Sequence, residues 1–308
     1  MATFKGRSII SMRDFSRDET LHVLDMAKLM DESPEKYSDA LTGRILATLF
    51  FEPSTRTRLS FESAMLRLGG KVMGFADPGS TSTKKGESLA DSIKIVESYA
   101  DLIVMRHPVE GSARLASEIA DIPVLNAGDG ANQHPSQTFL DLYTIQQEKG
   151  QLEGLQVAFM GDLKYGRTVH SLAIALGQFG CQLYFVSPKG LEMPGDILWE
   201  LAQMGVAFRE FENFDSIKGS LDILYVTRIQ RERFGDELNY DKVREGYNIS
   251  NAFLEGVNPK LRILHPLPRV DELSQEVDST PYALYFRQAA NGIPARMALI
   301  SLVMGVIS

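Results

Sequence analysis

The chain has 308 residues, which at ~150 residues per domain predicts two domains. Hydrophobic residues make up 44% of the sequence and charged residues 23%, a composition typical of folded globular proteins, so disorder of the whole chain is excluded. The net charge is −8, from 32 basic and 40 acidic residues, and it argues against a nucleic-acid partner because phosphate contacts need a basic surface.

The cysteine content and the lengths of the apolar segments exclude further classes of protein. The single cysteine, Cys181, excludes an internal disulfide framework and a cysteine-based structural metal site. No segment approaches ~20 uninterrupted apolar residues, and the first residues lack an apolar core of signal-peptide length. We therefore expect a cytoplasmic protein that does not span a membrane.

The predicted elements begin with a capping box, Ser16-Arg17-Asp18-Glu19, which starts a helix that runs to about Met30. Short apolar runs then alternate with helical patterns, and a polar stretch near residue 150 divides them. The predicted strands are residues 45–51, 72–75, 102–105, 123–126, 156–160, 182–186, 223–226 and 262–265. Most of them lack polar alternation, which is typical of strands buried on both faces of a parallel sheet. The pattern predicts an α/β fold.

The last predicted element is a helix with Pro294 near its first turn. Apolar residues occupy much of its circumference. A helix with this composition must be buried, so we expect it to pack against other elements of the protein.

The most informative segment is a predicted strand end followed by hydroxyl and guanidinium groups. The strand ends at Phe51, and apolar residues recur at helical spacing from residue 61 onward, so Ser54, Thr55, Arg56 and Thr57 lie at a helix N-terminus. Free N–H groups, the positive end of the helix dipole and a guanidinium together predict a phosphate site. The alternative is an ordinary N-cap, but a cap needs one hydroxyl and this segment has three.

Other nucleotide and hydrolase motifs are missing from the sequence. GxxxxGK[ST] does not occur, and the turn at residues 161–166 lacks the GxGxxG spacing. The strand after that turn ends in Ser187-Pro188, without an acidic residue for a ribose. GxSxG and HExxH are also absent. Nucleotide-binding, hydrolase-triad and zinc-protease functions are therefore disfavoured.

Further polar residues follow the predicted strands, at the edge where open α/β sheets bind ligands. They are Arg106 after the third strand, His134 and Gln137 after the fourth, and Arg167, Arg228 and His265-Pro266-Leu267-Pro268-Arg269 in the second domain. A surface salt bridge would explain each arginine alone, and a helix cap would explain His134. The two-lysine loop at residues 81–87 is, by itself, typical of a solvated loop. Several cations at equivalent strand ends favour a site for anions.

Seven motifs in this order resemble the aspartate carbamoyltransferase family over essentially the whole chain. They are FEPSTRTRLSFE at residues 51–62, STKKGES at 82–88, the Arg106-His107-Pro108 turn, NQHPSQT at 132–138, GDLKYGRTVHSL at 161–172, YVTRIQRER at 225–233 and HPLPRVDE at 265–272. Ornithine carbamoyltransferases instead carry a cysteine in the HCLP segment, and position 266 here is proline. The resemblance implies transfer of a carbamoyl group from carbamoyl phosphate to L-aspartate, in pyrimidine biosynthesis.

The resemblance implies two doubly wound domains with parallel sheets. A carbamoyl-phosphate-binding domain would span residues 1–148, completed by a C-terminal helix at about 286–308 that packs back on it. An L-aspartate-binding domain would span residues 149–285. No cofactor and no metal ion are implied, because positioning two bound reactants can itself contribute ~7–11 kcal/mol.

The family's site residues carry over to matching positions. Phosphate would be held by Ser54, Thr55, Arg56, Thr57 and Arg106. The carbamoyl oxygen would be polarised by Thr57, Arg106 and His134, and the carbamoyl amino group would be held by Gln137 and the carbonyls of Leu267 and Pro268. The aspartate carboxylates would be bound by Lys85, Arg167, Arg228 and Gln230, with Arg269 as a further candidate cation.

The resemblance also implies partners. A homotrimer would place Lys85 and Ser82, or Ser80 in place of Ser82, in the neighbouring subunit's site. Segment 161–172 is most similar to members that bind separate regulatory chains. The alternatives are a carbamoyltransferase for another amino acid such as ornithine, which Arg167 and Arg228 disfavour, a non-catalytic scaffold relative, and a nucleotide-binding regulator, for which no phosphate loop is present.

Overall fold

The computed structural model describes residues 4–77, 79, 85–229 and 246–307. The chain divides into two compact units, the first formed by Met1–Tyr143 with Ala290–Ser308 and the second by Thr144–Ala289. Each unit contains one parallel sheet with its own helices, which confirms the predicted α/β class with two domains.

The first unit is built on a four-stranded parallel sheet in the order β2-β1-β3-β4. Its strands are β1 Ile45–Phe50, β2 Lys71–Phe75, β3 Leu102–His107 and β4 Val124–Asp129. Its helices are α1 Arg17–Glu32, α2 Thr55–Arg67, α3 Leu89–Val96, α4 Ser112–Ile119 and α5 Pro135–Lys149, together with the C-terminal helix named below. The division between the units falls inside α5, and the boundary predicted at residues 148/149 lies at the carboxyl end of that helix.

The second unit is built on a five-stranded parallel sheet in the order β7-β6-β5-β8-β9. Its strands are β5 Gln156–Met160, β6 Gln182–Val186, β7 Phe208–Phe211, β8 Ile223–Val226 and β9 Arg262–Leu264. Its helices are α6 Arg167–Gly177, α7 Gly195–Gln203 and α8 Tyr285–Ala290. Its core joins buried residues of β5, β8 and β9 to apolar side chains of the loops and of α8.

The predicted elements agree closely with these bounds. The Ser16 hydroxyl accepts a hydrogen bond from the Glu19 N–H at 3.2 Å, and the Glu19 carboxylate accepts one from the Ser16 N–H at 2.8 Å, so the capping box is present. Every predicted strand is present, with ends that agree to within three residues.

One strand, β7, is missing from the prediction. It forms the edge of the second sheet and pairs with β6. Its central residues, Arg209 and Glu210, are exposed. A four-residue edge strand with charged side chains at its centre has no apolar run, and it is held by backbone hydrogen bonds that a hydropathy pattern does not register.

The C-terminal helix, α9 Gly292–Met304, is buried around almost its whole circumference. It packs against α1 and α2 of the first unit, which confirms the predicted return of this helix to the first domain. Pro294 is its third residue, where a missing N–H costs no intrahelical hydrogen bond. Among the described helices, none is both long and apolar enough to cross a membrane.

Candidate active site

Four residues, 51–54, connect the end of β1 to the start of α2. Ser54 is the N-cap residue with extended backbone, and its side chain does not cap the helix. The first intrahelical bond runs from the Arg58 N–H to the Ser54 carbonyl at 3.2 Å, so the N–H groups of residues 55–57 precede the hydrogen-bonded ladder. Thr57 is buried, whereas Thr55 and Arg56 are exposed. Partial desolvation lowers the pKa of Arg56, and the guanidinium nonetheless stays charged. This turn is suited to binding an anion.

Arg106 brings a second guanidinium to the same edge of the sheet. It aligns with Phe50 of β1, and its carbonyl accepts a hydrogen bond from the Phe51 N–H at 2.8 Å. Its Nη2 lies 3.2 Å from Oε1 of Glu52, and its Nη1 donates to the Ala127 carbonyl at 3.4 Å. The guanidinium therefore lies between the loop before α2 and strand β4.

His134 and Gln137 lie at the start of α5. His134 is the residue before the helix and is 3% exposed, with Nδ1 3.3 Å from the Ser136 hydroxyl. Its carbonyl accepts from the N–H groups of Gln137 at 2.9 Å and of Thr138 at 3.2 Å. Gln137 is also buried, and its Nε2 donates to Oδ1 of Asp141 at 2.9 Å. His134 thus immediately precedes α5, and Gln137 lies in the first turn of that helix.

A buried carboxylate that the sequence reasoning missed fixes the loop before α5. Asp129, 1% exposed, accepts hydrogen bonds at Oδ1 from Asn126 Nδ2 (2.8 Å) and the Gln133 N–H (3.1 Å). Its Oδ2 accepts from the Gly111 N–H (2.9 Å) and Asn132 Nδ2 (3.0 Å). Four donors satisfy the buried charge and fix the backbone that leads to His134. A carboxylate between two glycines after a strand was the available signal.

In the second unit, a backbone hydrogen bond joins the ends of the two strands that precede Arg167 and Arg228. Arg167 is the first residue of α6, and Arg228 lies two residues past β8; both are half-buried. Thr227 donates from its N–H to the Met160 carbonyl at 2.8 Å. Gly161 has a φ of 122°, and a Cβ there would lie 2.3 Å from the Thr227 carbonyl oxygen, so only glycine permits this approach.

The segment after β9 is held by a histidine–glutamate pair. His265 Nδ1 accepts from the Leu267 N–H at 2.8 Å, which leaves Nε2 to donate to Oε1 of Glu272 at 2.7 Å. The Val270 N–H donates to both Glu272 oxygens at 3.2 and 3.3 Å. Burial opposes ionisation of Glu272, but the hydrogen bonds from His265 and Val270 and the electrostatic effect of His265 together lower its pKa. Leu267, a predicted site residue, has a φ of 54°.

The remaining predicted residues divide into three groups. Pro268 follows Leu267 and is exposed, and Lys85 is also exposed. Arg269 is bound to Asp278 through two hydrogen bonds and lies over the Tyr285 ring, 5.4 Å from its centroid. Ser80, Ser82 and Gln230 lie outside the described residues. Within the described part of the chain, His, Cys, Asp and Glu side chains nowhere gather in groups of three that could hold a metal ion.

Comparison with known proteins gives two family matches that together span most of the chain. Residues 7–147 match the aspartate/ornithine carbamoyltransferase carbamoyl-P binding domain, and residues 153–303 match the Asp/Orn binding domain of the same family. The aspartate carbamoyltransferase catalytic subunit of Thermococcus onnurineus is 57% identical over 306 residues, 99% of each chain.

Two solved structures share the fold. The catalytic subunit of M. jannaschii aspartate transcarbamoylase has a TM-score of 0.91 and 53% identity, covering 96% of this chain and 97% of that one. Aspartate transcarbamoylase from Trypanosoma cruzi in complex with carbamoyl phosphate and aspartate has a TM-score of 0.91 and 40% identity, covering 98% and 96%. On these matches and the geometry above, the chain belongs to the aspartate/ornithine carbamoyltransferase family.

Proposed function

We propose that this chain transfers the carbamoyl group of carbamoyl phosphate to the amine of L-aspartate, which yields N-carbamoyl-L-aspartate and phosphate. The observation that carries the proposal is the meeting, at one sheet edge, of the α2 N-terminus and the Arg106 guanidinium, an arrangement suited to a phosphate dianion. The T. cruzi relative that matches nearly the whole chain was solved with carbamoyl phosphate and aspartate.

The first unit would bind and activate carbamoyl phosphate. The N–H and hydroxyl groups of Ser54, Thr55 and Thr57, with Arg56 and Arg106, would hold the phosphate. In this proposal Thr57, Arg106 and His134 donate to the carbamoyl oxygen and stabilise the oxyanion that develops on it, the term that is usually largest in acyl transfer. His134 acts as a neutral donor.

The reaction needs no group beyond the two substrates and the chain. The lone pair of the aspartate amine attacks the carbamoyl carbon, the bond from that carbon to the phosphate oxygen breaks, and phosphate leaves with the electron pair. The amine proton passes to the departing phosphate. Gln137 and the carbonyls of Leu267 and Pro268 would hold the carbamoyl amino group throughout.

The second unit would bind L-aspartate. Arg167 begins α6 and Arg228 lies on the loop after β8, and both are half-buried. Two guanidinium groups suit two carboxylates. Gln230 would add a hydrogen bond. A carbamoyltransferase for ornithine is the second candidate, since the family model covers both acceptors, but a cationic side chain would be repelled by these arginines.

The test is phosphate release from carbamoyl phosphate by the purified chain, with L-aspartate or L-ornithine as acceptor and mass detection of the product. We expect carbamoyl-aspartate with aspartate alone. Product only with ornithine would overturn the assignment of the arginines, and no product with either would overturn the proposed reaction.

We further propose a cytoplasmic homotrimer in which Lys85 and Ser82 complete the site of a neighbouring subunit, with separate regulatory chains as additional partners. The exposure of Lys85 supports this, because a lysine that is open to solvent in one chain is available to another. Light scattering should give three times the monomer mass, and Lys85→Ala mixed with Arg106→Met chains should regain activity in hybrid trimers. A monomeric, fully active chain would contradict it.

A further inference from the structure

Asp141 is a buried carboxylate that contacts Gln137 and has no role in the mechanism proposed above. Gln137 and Asp141 are four residues apart on α5 and so share one face of the helix. Asp141 is 0% exposed, and its Oδ1 accepts from Gln137 Nε2 at 2.9 Å. Among the described residues, none donates a hydrogen bond to the side-chain oxygen of Gln137, Oε1.

Arg296 is a buried cation of the same unit. Arg296 of α9 is 2% exposed; its Nη1 donates to the Gly292 carbonyl at 3.1 Å, and its guanidinium lies 4.9 Å from the centroid of the Phe61 ring on α2. Burial lowers the pKa of Arg296 to about 10, and the negative charge of Asp141 acts in the opposite direction. A Cβ at Gly292 would lie 2.2 Å from Nη1, so the glycine provides the space that the guanidinium occupies.

We propose that Asp141 is a positioning residue that fixes the side-chain amide of Gln137 with its oxygen, Oε1, turned to the substrate. An ionised carboxylate accepts hydrogen bonds and donates none. The Gln137 amide therefore presents its NH₂ group to Asp141, and its oxygen lies on the other side of the amide carbon, where it can accept a hydrogen bond from a ligand.

This orientation selects the chemical group on the substrate. An amide oxygen accepts a hydrogen bond from the carbamoyl NH₂ and has nothing to accept from a methyl group in the same place. Acetyl phosphate differs from carbamoyl phosphate by this one replacement. The inference rests on the proposed function in one respect, namely that Gln137 contacts the carbamoyl amino group.

The experiment measures the binding of carbamoyl phosphate and of acetyl phosphate by calorimetry at low temperature, together with kcat/KM for carbamoyl transfer to aspartate. In Asp141→Asn, the side chain can also donate, so the Gln137 amide loses its fixed orientation. We expect affinity and kcat/KM for carbamoyl phosphate to fall about 10- to 100-fold, the size typical of a mis-made buried hydrogen bond. Affinity for acetyl phosphate should change by less than about threefold.

Two further variants show whether Asp141 acts through Gln137. Gln137→Ala should lose selectivity for carbamoyl over acetyl phosphate, and Asp141→Asn added to Gln137→Ala should cause no additional loss. Asp141→Asn strands the buried charge of Arg296 and so risks failure to fold. The pair variant Asp141→Asn with Arg296→Gln removes both charges and should show the same loss of selectivity.

The matched control is Asp101→Asn in the same unit. Asp101 lies at the amino ends of β1 and β3, where it pairs with Arg44 at 2.7 Å and accepts from the Ile45 N–H at 2.9 Å. The change is chemically identical and should leave the selectivity unchanged.

Three results would overturn the inference: an equal loss for both phosphates in Asp141→Asn, an undiminished effect of Asp141→Asn in the Gln137→Ala background, or no loss in either Asp141 variant. Failure of the proposed function is a different result, in which the unchanged chain binds carbamoyl phosphate but forms no carbamoyl-aspartate. The binding measurements then still decide the role of Asp141.

Discussion

In the first unit, the loop after β4 is fixed by Asp129, a carboxylate that accepts from four amide groups. In the second unit, the loop after β9 is fixed by Glu272, a carboxylate that pairs with the imidazole of His265. Both loops follow a parallel strand and carry or lead to predicted ligand-binding groups, and both are held by a buried carboxylate. The first carboxylate depends on amide donors alone, whereas the second depends on an imidazole and a backbone N–H.

The two units also differ in the charged groups that they present. The first combines a helix N-terminus with Arg56 and Arg106, which suits a compact phosphate. The second presents Arg167 from the first turn of α6 and Arg228 from the loop after β8, and two guanidinium groups suit two carboxylates. Under the proposed function these four arginines divide between the two substrates, so removing an arginine of the second unit should leave the affinity for carbamoyl phosphate largely unchanged.

The largest expected effect follows Arg106→Met. This change removes a cation that would contact both the phosphate and the developing oxyanion, so kcat/KM for carbamoyl phosphate should fall roughly 10²- to 10³-fold. Arg44→Met, which breaks a half-exposed ion pair at the opposite end of the sheet, is the control and should change kcat/KM little. Steady-state kinetics checks both variants. A kcat/KM of Arg106→Met within tenfold of that of the parent would show that Arg106 does not contact the reacting groups.

Arg167→Gln tests whether this arginine binds L-aspartate without affecting the binding of carbamoyl phosphate. Loss of one charge-assisted hydrogen bond of about 1.5–3 kcal/mol should raise KM for L-aspartate by roughly 10- to 100-fold. The dissociation constant for carbamoyl phosphate, measured without aspartate, should stay the same. Arg209→Gln on the exposed edge strand β7 is the matched control. An equal weakening of carbamoyl phosphate binding would show that the units do not recognise their substrates separately.

Asp129→Asn tests the loop after β4, which Asp129 holds through four hydrogen bonds from amide groups. The new NH₂ group would face donors that now bind the carboxylate, so the free energy of unfolding should fall by about 1–3 kcal/mol. Denaturant unfolding measures the change, and Asp25→Asn on the exposed face of α1 should stay within about 0.5 kcal/mol of the parent. An Asp129→Asn protein as stable as the parent would mean that the four hydrogen bonds are dispensable.

The sequence predicted the parts of the site that are local in the chain. Ser54 to Thr57 are consecutive residues after an apolar run, so a strand end, a helix start and an anion site follow from one segment. The supporting carboxylates were missed although most of their partners are near in the sequence: three of the four donors to Asp129 lie within four residues of it, and Gly111 lies 18 residues away. An isolated aspartate in a sequence is expected at the surface, and only the fold shows which one is buried among donors.

The sequence also left open the contacts of the C-terminal helix and the presence of one edge strand. The α9 helix was recognisable because apolar residues surround it, but its contact with α2 through Arg296 and Phe61 needs the structure. Strand β7 was missed because charged residues occupy its centre. Hydropathy patterns detect burial, and they do not detect backbone pairing at an exposed edge or the pairing of buried charges.

The smallest expected effect belongs to Glu272→Gln and depends on pH. The pKa of Glu272 in the folded chain lies below its ordinary value of 4.5, so its ionised form stabilises the fold above that value, and this contribution is lost as the pH falls through the folded-state pKa. The variant should therefore be less stable than the parent by about 1 kcal/mol at neutral pH, and the gap should close below pH 4.5. Denaturant titrations of both proteins from pH 7 downward measure this gap. A constant gap across that range would show that Glu272 acts by packing alone and that the contrast with Asp129 has no electrostatic basis.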